Sequence, residues 1–513
     1  MSSWSIGVIG GGPSAVCLLS ALANAGMSPG MVTVFDIGEK LWRGKPYQAD
    51  LPVLRINVPP EEMSVRADEK NHFRAWLEEQ NALTAELSPF FDPVVQSYFF
   101  SREMYGDYLS YSAGSCLTAL TAQGWRVDVV RERVERISPA ERGLTLVTGD
   151  ATRVTVDYAV VAVGAGQPPD AYPISGAPGY VANPYPARSS LAGIDPDAAV
   201  SILGSGLTAV DMVLALTSQG HRGPIHLTSR SGVLPSVRQR PVQLTLRHCT
   251  PEHLRFVAER GPLKLVDLVG IVRAELIEAG EDTGLVEAEI RAVRAENPVA
   301  RLRRQLAEVD SPALGLRILQ RAVPEAGPDL WPLLSAAERS TVLGTHQPTL
   351  MSLCCPMPPV TAATLLDLLE SGQVTVIGGL REVTSVPGDG FRLVARGGTY
   401  RADHVINAIN ARARPMAESA EPLFRSLVRA GLAELHPNGG LCVDPRSSRL
   451  IAEGRLQQRL FALGDPAAGS LFFTFGVQSL VDRATDIVTA LINDVGRSSG
   501  SPAAADATVL QPA

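Results

Sequence analysis

Two glycine-rich strand–turn–helix units predict an α/β chain with two Rossmann-like dinucleotide-binding domains. In the first, Ile6-Gly7-Val8-Ile9 runs into Gly10-Gly11-Gly12-Pro13-Ser14-Ala15. In the second, Val200-Ser201-Ile202-Leu203 runs into Gly204-Ser205-Gly206-Leu207-Thr208-Ala209. Late in the chain, short buried-strand patterns return at 403–410 and 460–463. They predict that the second domain is inserted into the first. The expected layout is a first domain from 1–190, a second from 191–400, and the last part of the first from 401–495. A helical insertion lies inside the second domain at about 250–345, and a disordered tail follows at 496–513.

Each turn has the same physical logic. The first glycine permits the tight reversal from strand to helix. The second lets backbone approach a pyrophosphate, and the small third residue, Ala15 or Ala209, lets helix and strand pack closely. The pyrophosphate then meets free N–H groups at the positive end of a helix. Gly10, Gly12, Pro13, Ser14 and Ala15 are the candidate contacts at site one. Gly204, Ser205, Gly206, Thr208 and Ala209 are those at site two.

Composition narrows the class. The chain has 513 residues, enough for two to four domains, and 45% of them are hydrophobic. A formal net charge of −7 argues against a nucleic-acid or anionic-membrane partner. Six cysteines, mostly dispersed and with no Cys-x-x-Cys, fit reduced thiols, hence an expected cytoplasmic protein without a dithiol mechanism. No apolar run approaches the length that spans a bilayer.

Taken in order, 5–9 is a strand and 14–26 a helix closing at Gly26. The strand Met31-Val32-Thr33-Val34-Phe35 ends in Asp36. An acid there can accept from both ribose hydroxyls and repels a 2′-phosphate. Site one is therefore expected to hold an unphosphorylated adenosine, as in FAD or NAD. A proline-rich loop at 45–60 precedes helices near 71–77 and 101–121. Strands follow at 125–130, 144–147 and 157–164. Six prolines between 168 and 186 read as the linker to the second domain.

There, the strand Ile225-His226-Leu227-Thr228 ends in Ser229-Arg230-Ser231-Gly232, with no acid. A hydroxyl and a guanidinium are what a 2′-phosphate requires. The contrast between the two strand ends points to FAD at site one and NADPH at site two. Residues 251–345 read as helical, with Arg301, Arg303 and Arg304 as a solvated face. Cys354-Cys355 reads as two free thiols, and no metal ligand set is expected. A helix at 362–371, strands at 374–377 and 391–394, and a helix from about 474 to 493 complete the chain.

These residues resemble the two-dinucleotide-binding-domain flavoproteins, and among them bacterial FAD/NAD(P)-binding proteins related to flavin-dependent amine N-hydroxylases. The resemblance covers nearly the whole chain. It rests on Gly10-x-Gly12-x-x-Ala15, Asn57-Val58-Pro59 with Met63-Ser64, and Arg102-Glu103-x-Tyr105-x-x-Tyr108. It rests also on Gly204-Ser205-Gly206-Leu207-Thr208-x-x-Asp211, Ser229-Arg230-x-Gly232 and Gly464-Asp465. By that similarity Gly464 and Asp465 meet the ribityl or pyrophosphate part of FAD. Asn57, Met63 and Ser64 lie against the flavin, and Arg102 lies near cofactor. Two stretches depart from the pattern: Ala408-Ile409-Asn410, and Ser352-Leu353-Cys354-Cys355 ahead of Met357-Pro358-Pro359.

The resemblance implies an NADPH-dependent FAD monooxygenase that hydroxylates a small nucleophilic metabolite, such as the amine of an amino acid, with dioxygen through a C4a-hydroperoxyflavin. The cofactor carries the chemistry, so no triad or carboxylate pair is required. Two other readings share the motifs: a reductase or oxidase without oxygen insertion, and a non-catalytic flavin-binding partner. A homo-oligomer is compatible with all three.

Overall fold

The computed structural model describes residues 4–83, 88–259, 261–409, 418–474 and 476–499. Its frame is two sheets with parallel cores. The first contains β1 (Ser5–Ile9), β2 (Met31–Phe35), β3 (Arg126–Val130) and β4 (Tyr158–Val161). The second contains β5 (Val200–Leu203), β6 (Ile225–Ser229), β7 (Val374–Gly378) and β8 (His404–Asn407). The chain then returns to the first sheet through β9 (Arg455–Ala462). Spatial order in the first sheet is strand 449–452, β9, β4, β1, β2, β3. In the second it is strand 180–181, β8, β5, β6, β7. The central strands are buried on both faces: helices pack on one, and a three-stranded antiparallel sheet, 134–156 in the first unit and 382–402 in the second, packs on the other. Ile6, Val8, Val200 and Ile202 have no exposed surface.

The two units repeat each other in detail. β1 lies between β2 and β4, all parallel, and β5 lies between β6 and β8, all parallel. The Gly10 N–H donates to Phe35 O at 2.9 Å, and the Gly204 N–H donates to Thr228 O at 2.7 Å. Helices α1 (Pro13–Asn24), α2 (Arg102–Ala122) and α3 (Leu207–Ser218) pack beside these sheets. They are joined by α4 (Pro359–Glu370) and α5 (Val477–Ser499). Leu18, Leu109 and Ile487 share one core around α1, α2 and α5. Met212, Ala362 and Leu365 share another around α3 and α4.

Four expectations are corrected. The expectation that 401–495 belongs to the first domain fails at 404–407, where β8 pairs in register with β5 (Val200↔His404 to Leu203↔Asn407). A parallel strand on each side of β5 buries its ladder groups, as β4 does for β1. Strand 180–181 lies within the proline-rich linker yet pairs with β8. The insertion is helical as expected, but helices continue to Cys354. Residues 496–499, expected in the disordered tail, are helical in α5, and residues 500–513 lie outside the described residues.

Arg301 is not on a solvated face either. It is 3% exposed and donates to Glu289, Ser236 and Ser352 inside the insertion. Only Arg303, paired with Glu370, is exposed as the sequence suggests, while Arg304 is half-buried against Glu289 and Glu296. Periodicity could not separate these neighbours, since a single residue's shift turns a side chain by 100° around a helix.

Candidate functional site

Site one is assembled from three distant stretches. Gly10 has φ +113°, and a Cβ there would stand 2.5 Å from Ala162 O, so β4 itself demands a glycine. Gly12 differs. Its φ is −96°, and a Cβ would meet only Gly44 Cα at 3.5 Å. The fold has room for a side chain at Gly12, so its absence leaves space for a ligand at the start of α1. Pro13 is the first residue of that helix, and Ala15 is fully buried against the sheet. Gly464 packs on Ser14, where a Cβ would come within 2.7 Å of Ser14 Oγ. The Ala165 N–H donates to Asp465 Oδ2 at 2.9 Å. Asp36 stands at the end of β2. Its Oδ2 accepts from the Gly11 N–H at 2.6 Å and its Oδ1 from the Gly38 N–H at 2.5 Å. A carboxylate, a helix N-terminus and an uncrowded glycine thus converge, as a dinucleotide requires.

Site two repeats the geometry with another charge. Gly204 has φ +127°, and a Cβ would lie 2.8 Å from Ala408 O. Gly206 has φ −86° and nothing within 4 Å of a Cβ. The same two-glycine division holds: one is needed by the neighbouring strand, one leaves room for a ligand. Ala209 is fully buried. Ser205 and Ser229 bond each other at 2.9 Å. Ser229 Oγ also accepts from the Gly232 N–H at 2.8 Å, so both hydroxyls shape the turn. Arg230 is exposed, has no ion pair among the described residues, and is fixed by its carbonyl, which accepts from the Gly379 N–H at 3.0 Å.

Arg102 joins the two units. It begins α2, and its guanidinium lies 2.5 Å from Asp211 Oδ2 of α3 and over the ring of Tyr185. The Tyr185 hydroxyl donates to the same Asp211 oxygen at 2.5 Å, and Thr208 lies beside Tyr185. Burial opposes the Arg102 charge, yet Asp211 holds its pKa above the ordinary value. Burial raises the Asp211 carboxyl, against the pull of Arg102.

The other motif residues act as braces. The Tyr105 hydroxyl donates to Met63 O at 3.0 Å, and Tyr108 Oη accepts from the Val65 N–H at 3.2 Å. Burial pushes the Tyr108 phenol up to about 12, so it stays neutral. Ser64 Oγ donates to Glu69 O at 2.7 Å. The 63–65 turn is therefore rigid. Asn57 links the units: its Nδ2 donates to Pro356 O at 3.1 Å, and Arg238 Nε donates to Asn57 O at 2.8 Å.

Sequence reasoning overlooked Arg238, Tyr185 and Trp331. The Trp331 indole N–H, on the insertion, donates to Gly469 O at 2.9 Å, and its ring stacks on Phe472 at 4.5 Å. The insertion thus packs against the segment that follows Gly464-Asp465. Tyr185 reaches Asp211 across 26 residues, and Arg238 and Trp331 reach their partners across more than a hundred, so no local pattern marks them. Neither Cys354 nor Cys355 forms a disulfide, and no metal-binding group occurs among the described residues. No described helix is long and apolar enough to cross a membrane.

Residues 7–166 match the FAD-NAD(P)-binding family. No curated protein matches the chain. Solved structures match along its whole length at low identity. The reduced ornithine hydroxylase PvdA of Pseudomonas aeruginosa is 15% identical, with 96% of this chain and 100% of that one covered and a TM-score of 0.55. The ornithine N-hydroxylase KtzI of Kutzneria sp. 744, solved with reduced FAD, NADP+ and L-ornithine, is 14% identical, with 97% and 100% covered and a TM-score of 0.55. DfoA, the FAD-bound cadaverine monooxygenase of Erwinia amylovora, is 12% identical, with 100% of both chains covered and a TM-score of 0.56. The chain therefore carries an FAD-NAD(P)-binding domain at its start and, as a whole, has the two-dinucleotide-binding fold of the flavin-dependent N-hydroxylases.

Proposed function

We propose that this protein is an NADPH-dependent FAD monooxygenase that hydroxylates the amine of a small metabolite. One observation carries the reading: two glycine turns of the same pattern, each with space where a Cβ of the second glycine would stand, beside strands that end in Asp36 and in Arg230. Bound FAD, reduced by NADPH, supplies the oxygen-activating chemistry. The chain's residues do the rest. Gly10, Gly12, Pro13, Ser14, Ala15, Gly464 and Asp465 hold the FAD pyrophosphate and ribityl, and Asp36 holds its ribose. Asn57, Met63 and Ser64 bound the flavin ring, on a turn braced by Tyr105 and Tyr108. Gly204, Ser205, Gly206, Thr208 and Ala209 seat NADPH, and Ser229 and Arg230 meet its 2′-phosphate. Arg102 sets the orientation of one site to the other through Asp211. The insertion, fastened by Trp331, excludes water.

The domain roles follow: FAD on the first sheet, NADPH on the second. A cytoplasmic setting suits the free thiols and NADPH use, and association into a homo-oligomer is compatible with it. Stopped-flow spectroscopy tests the reading. The FAD-loaded protein is reduced anaerobically by NADPH and mixed with oxygen and candidate amines under labelled dioxygen. Labelled oxygen in the amine is the expected result. Stoichiometric hydrogen peroxide with every amine would favour a reductase or oxidase. Absence of reduction by NADPH would favour a non-catalytic flavoprotein.

A further inference from the structure

One helix of the insertion, Leu265–Glu278, is apolar on two opposite faces. The inner face is accounted for. Ile271 belongs to a core with Leu254 and Leu334, and Leu276 to one with Val286 and Ile318. Between them the Glu275 carboxylate accepts the N–H groups of Arg247, His248 and Cys249. A helix lying on a protein surface buries one side and carries polar residues on the other. Here the outer side is not polar. Val266, Val269 and Ile277 are 68%, 50% and 67% exposed, and Gly270 has open space where a Cβ would stand. A glycine in the middle of an exposed helix weakens it relative to alanine. Arg273 is the charge at the centre of this stripe, and its pair with Glu287 at 2.7 Å is exposed on both sides, which holds it weakly.

The order of the outer residues points to what covers them. Val266, Gly270, Arg273 and Ile277 lie along one line of the helix, at intervals of four, three and four residues. That spacing reads the same from either end, as a contact between identical surfaces requires. Two copies laid antiparallel, with a two-fold axis midway between Gly270 and Arg273, bring Val266 of each against the partner's Ile277. Arg273 of each then crosses the partner's Gly270, where the missing Cβ leaves room for a guanidinium. The partner's Asp267, one turn further on, supplies the opposite charge. Asp267 Oδ2 accepts from the Lys264 N–H at 2.8 Å, and a carboxylate has a second oxygen with which to meet a guanidinium.

We propose that this face of helix Leu265–Glu278 is covered by the same face of a second copy of the chain, in an antiparallel two-fold contact. The inference is independent of the monooxygenase reading. An anionic bilayer is a poorer occupant: the chain carries a net charge of −7, and Asp267 and Glu278 stand exposed near the two ends of the face. The contact is short, so the dimer dissociates at a Kd on the order of 10 μM.

Sedimentation velocity of the full chain, loaded from about 1 to 200 μM so as to bracket that Kd, tests the proposal. Wild type should pass from monomer to dimer across this range. Ile277→Lys and Val266→Glu each set an unpaired charge against an apolar side chain, and each should raise the Kd at least about tenfold. Both residues are exposed in the single chain, so the Tm of dilute protein should stay within about 2 °C. The double variant Val266→Glu/Ile277→Lys pairs the two new charges across the axis and should associate more tightly than either single variant. Gly270→Ala gives opposite signs in two assays: the added Cβ should raise the Tm of dilute protein by about 1–2 °C and weaken the dimer.

A wild-type chain that stays monomeric throughout overturns the proposal. A dimer whose Kd Ile277→Lys shifts less than about tenfold also overturns it, since the interface then lies elsewhere. A double variant no tighter than the single variants refutes the antiparallel register. If a charged variant fails to fold, Gly270→Ala decides alone, and unchanged association in it overturns the contact.

Discussion

Asp211→Asn is the most informative single change, because it strands a cation that cannot neutralise itself. Arg102 and Asp211 are 20% and 9% exposed at the side chain and 2.5 Å apart. Removing the carboxylate leaves the guanidinium with the carbonyl of Arg55 and the Tyr185 ring. Breaking such a buried pair from one side costs about 3–5 kcal/mol. At roughly 2 °C per kcal/mol for a unit of this size, Tm should fall by about 6–10 °C. The reciprocal change, Arg102→Met, should cost less. Asp211, whose pKa is already raised by burial, can take up a proton.

The sign follows from that raised value. Below the ordinary carboxylate range, Asp211 is protonated folded or unfolded, and Arg102→Met should cost little. As pH rises from there through the raised folded value, ionising Asp211 is harder in the fold than in the unfolded chain, and the cost should grow. Scanning calorimetry of FAD-loaded wild type, both single variants and Arg102→Met/Asp211→Asn, at acid and neutral pH, gives the cycle. A coupling of about 2–3 kcal/mol is expected. Additivity within about 0.5 kcal/mol would refute the idea that this pair couples the two units.

Three further outcomes follow from the same geometry. Gly12→Val should leave melting nearly unchanged yet abolish the yellow FAD complex, whereas Gly10→Ala should lower expression and Tm, since its Cβ meets Ala162 O; a flavinylated Gly12→Val protein would contradict site one. Arg230→Ala should raise the Kd for NADPH about tenfold or more and leave that for NADH unchanged, as read by fluorescence titration; matching effects would remove the 2′-phosphate from the end of β6. His436 is held by burial, and secondarily by Arg339, at a pKa of about 4. Its folded value lies below the unfolded one, so stability drops as pH falls from about 6.5 toward 4, by about 1–2 kcal/mol after allowing for its partial exposure. Urea titrations across that window should show one proton's slope in wild type and a flatter profile in His436→Gln.

Much of the frame was legible locally. Both glycine turns, the buried strands beside them, Asp36 and Arg230 at their strand ends, and the helical nature of 251–345 are written in residues a few positions apart. The rules that govern them, tight reversals, period and strand-end charge, act over the same short distances. Even the division of labour between Gly10 and Gly12 follows the motif, although the structure alone reveals that Ala162 O is what excludes a side chain at the first.

What the tertiary structure decided is partnership. β8 joins the second sheet because β5 needs a parallel neighbour on its open side, and nothing within 403–410 states which sheet will supply one. Arg102 faces Asp211 rather than open solvent, Arg301 is buried, and Arg238 crosses to Asn57 without a carboxylate partner among the described residues. An isolated arginine has the same identity on a surface, in an ion pair or at the foot of a cleft. Only the packing of distant elements sets the burial and counter-charges that distinguish the three. Sequence by itself determined the two nucleotide-binding units and the polarity at their strand ends; the fold determined how they face each other and which charges are paired across them.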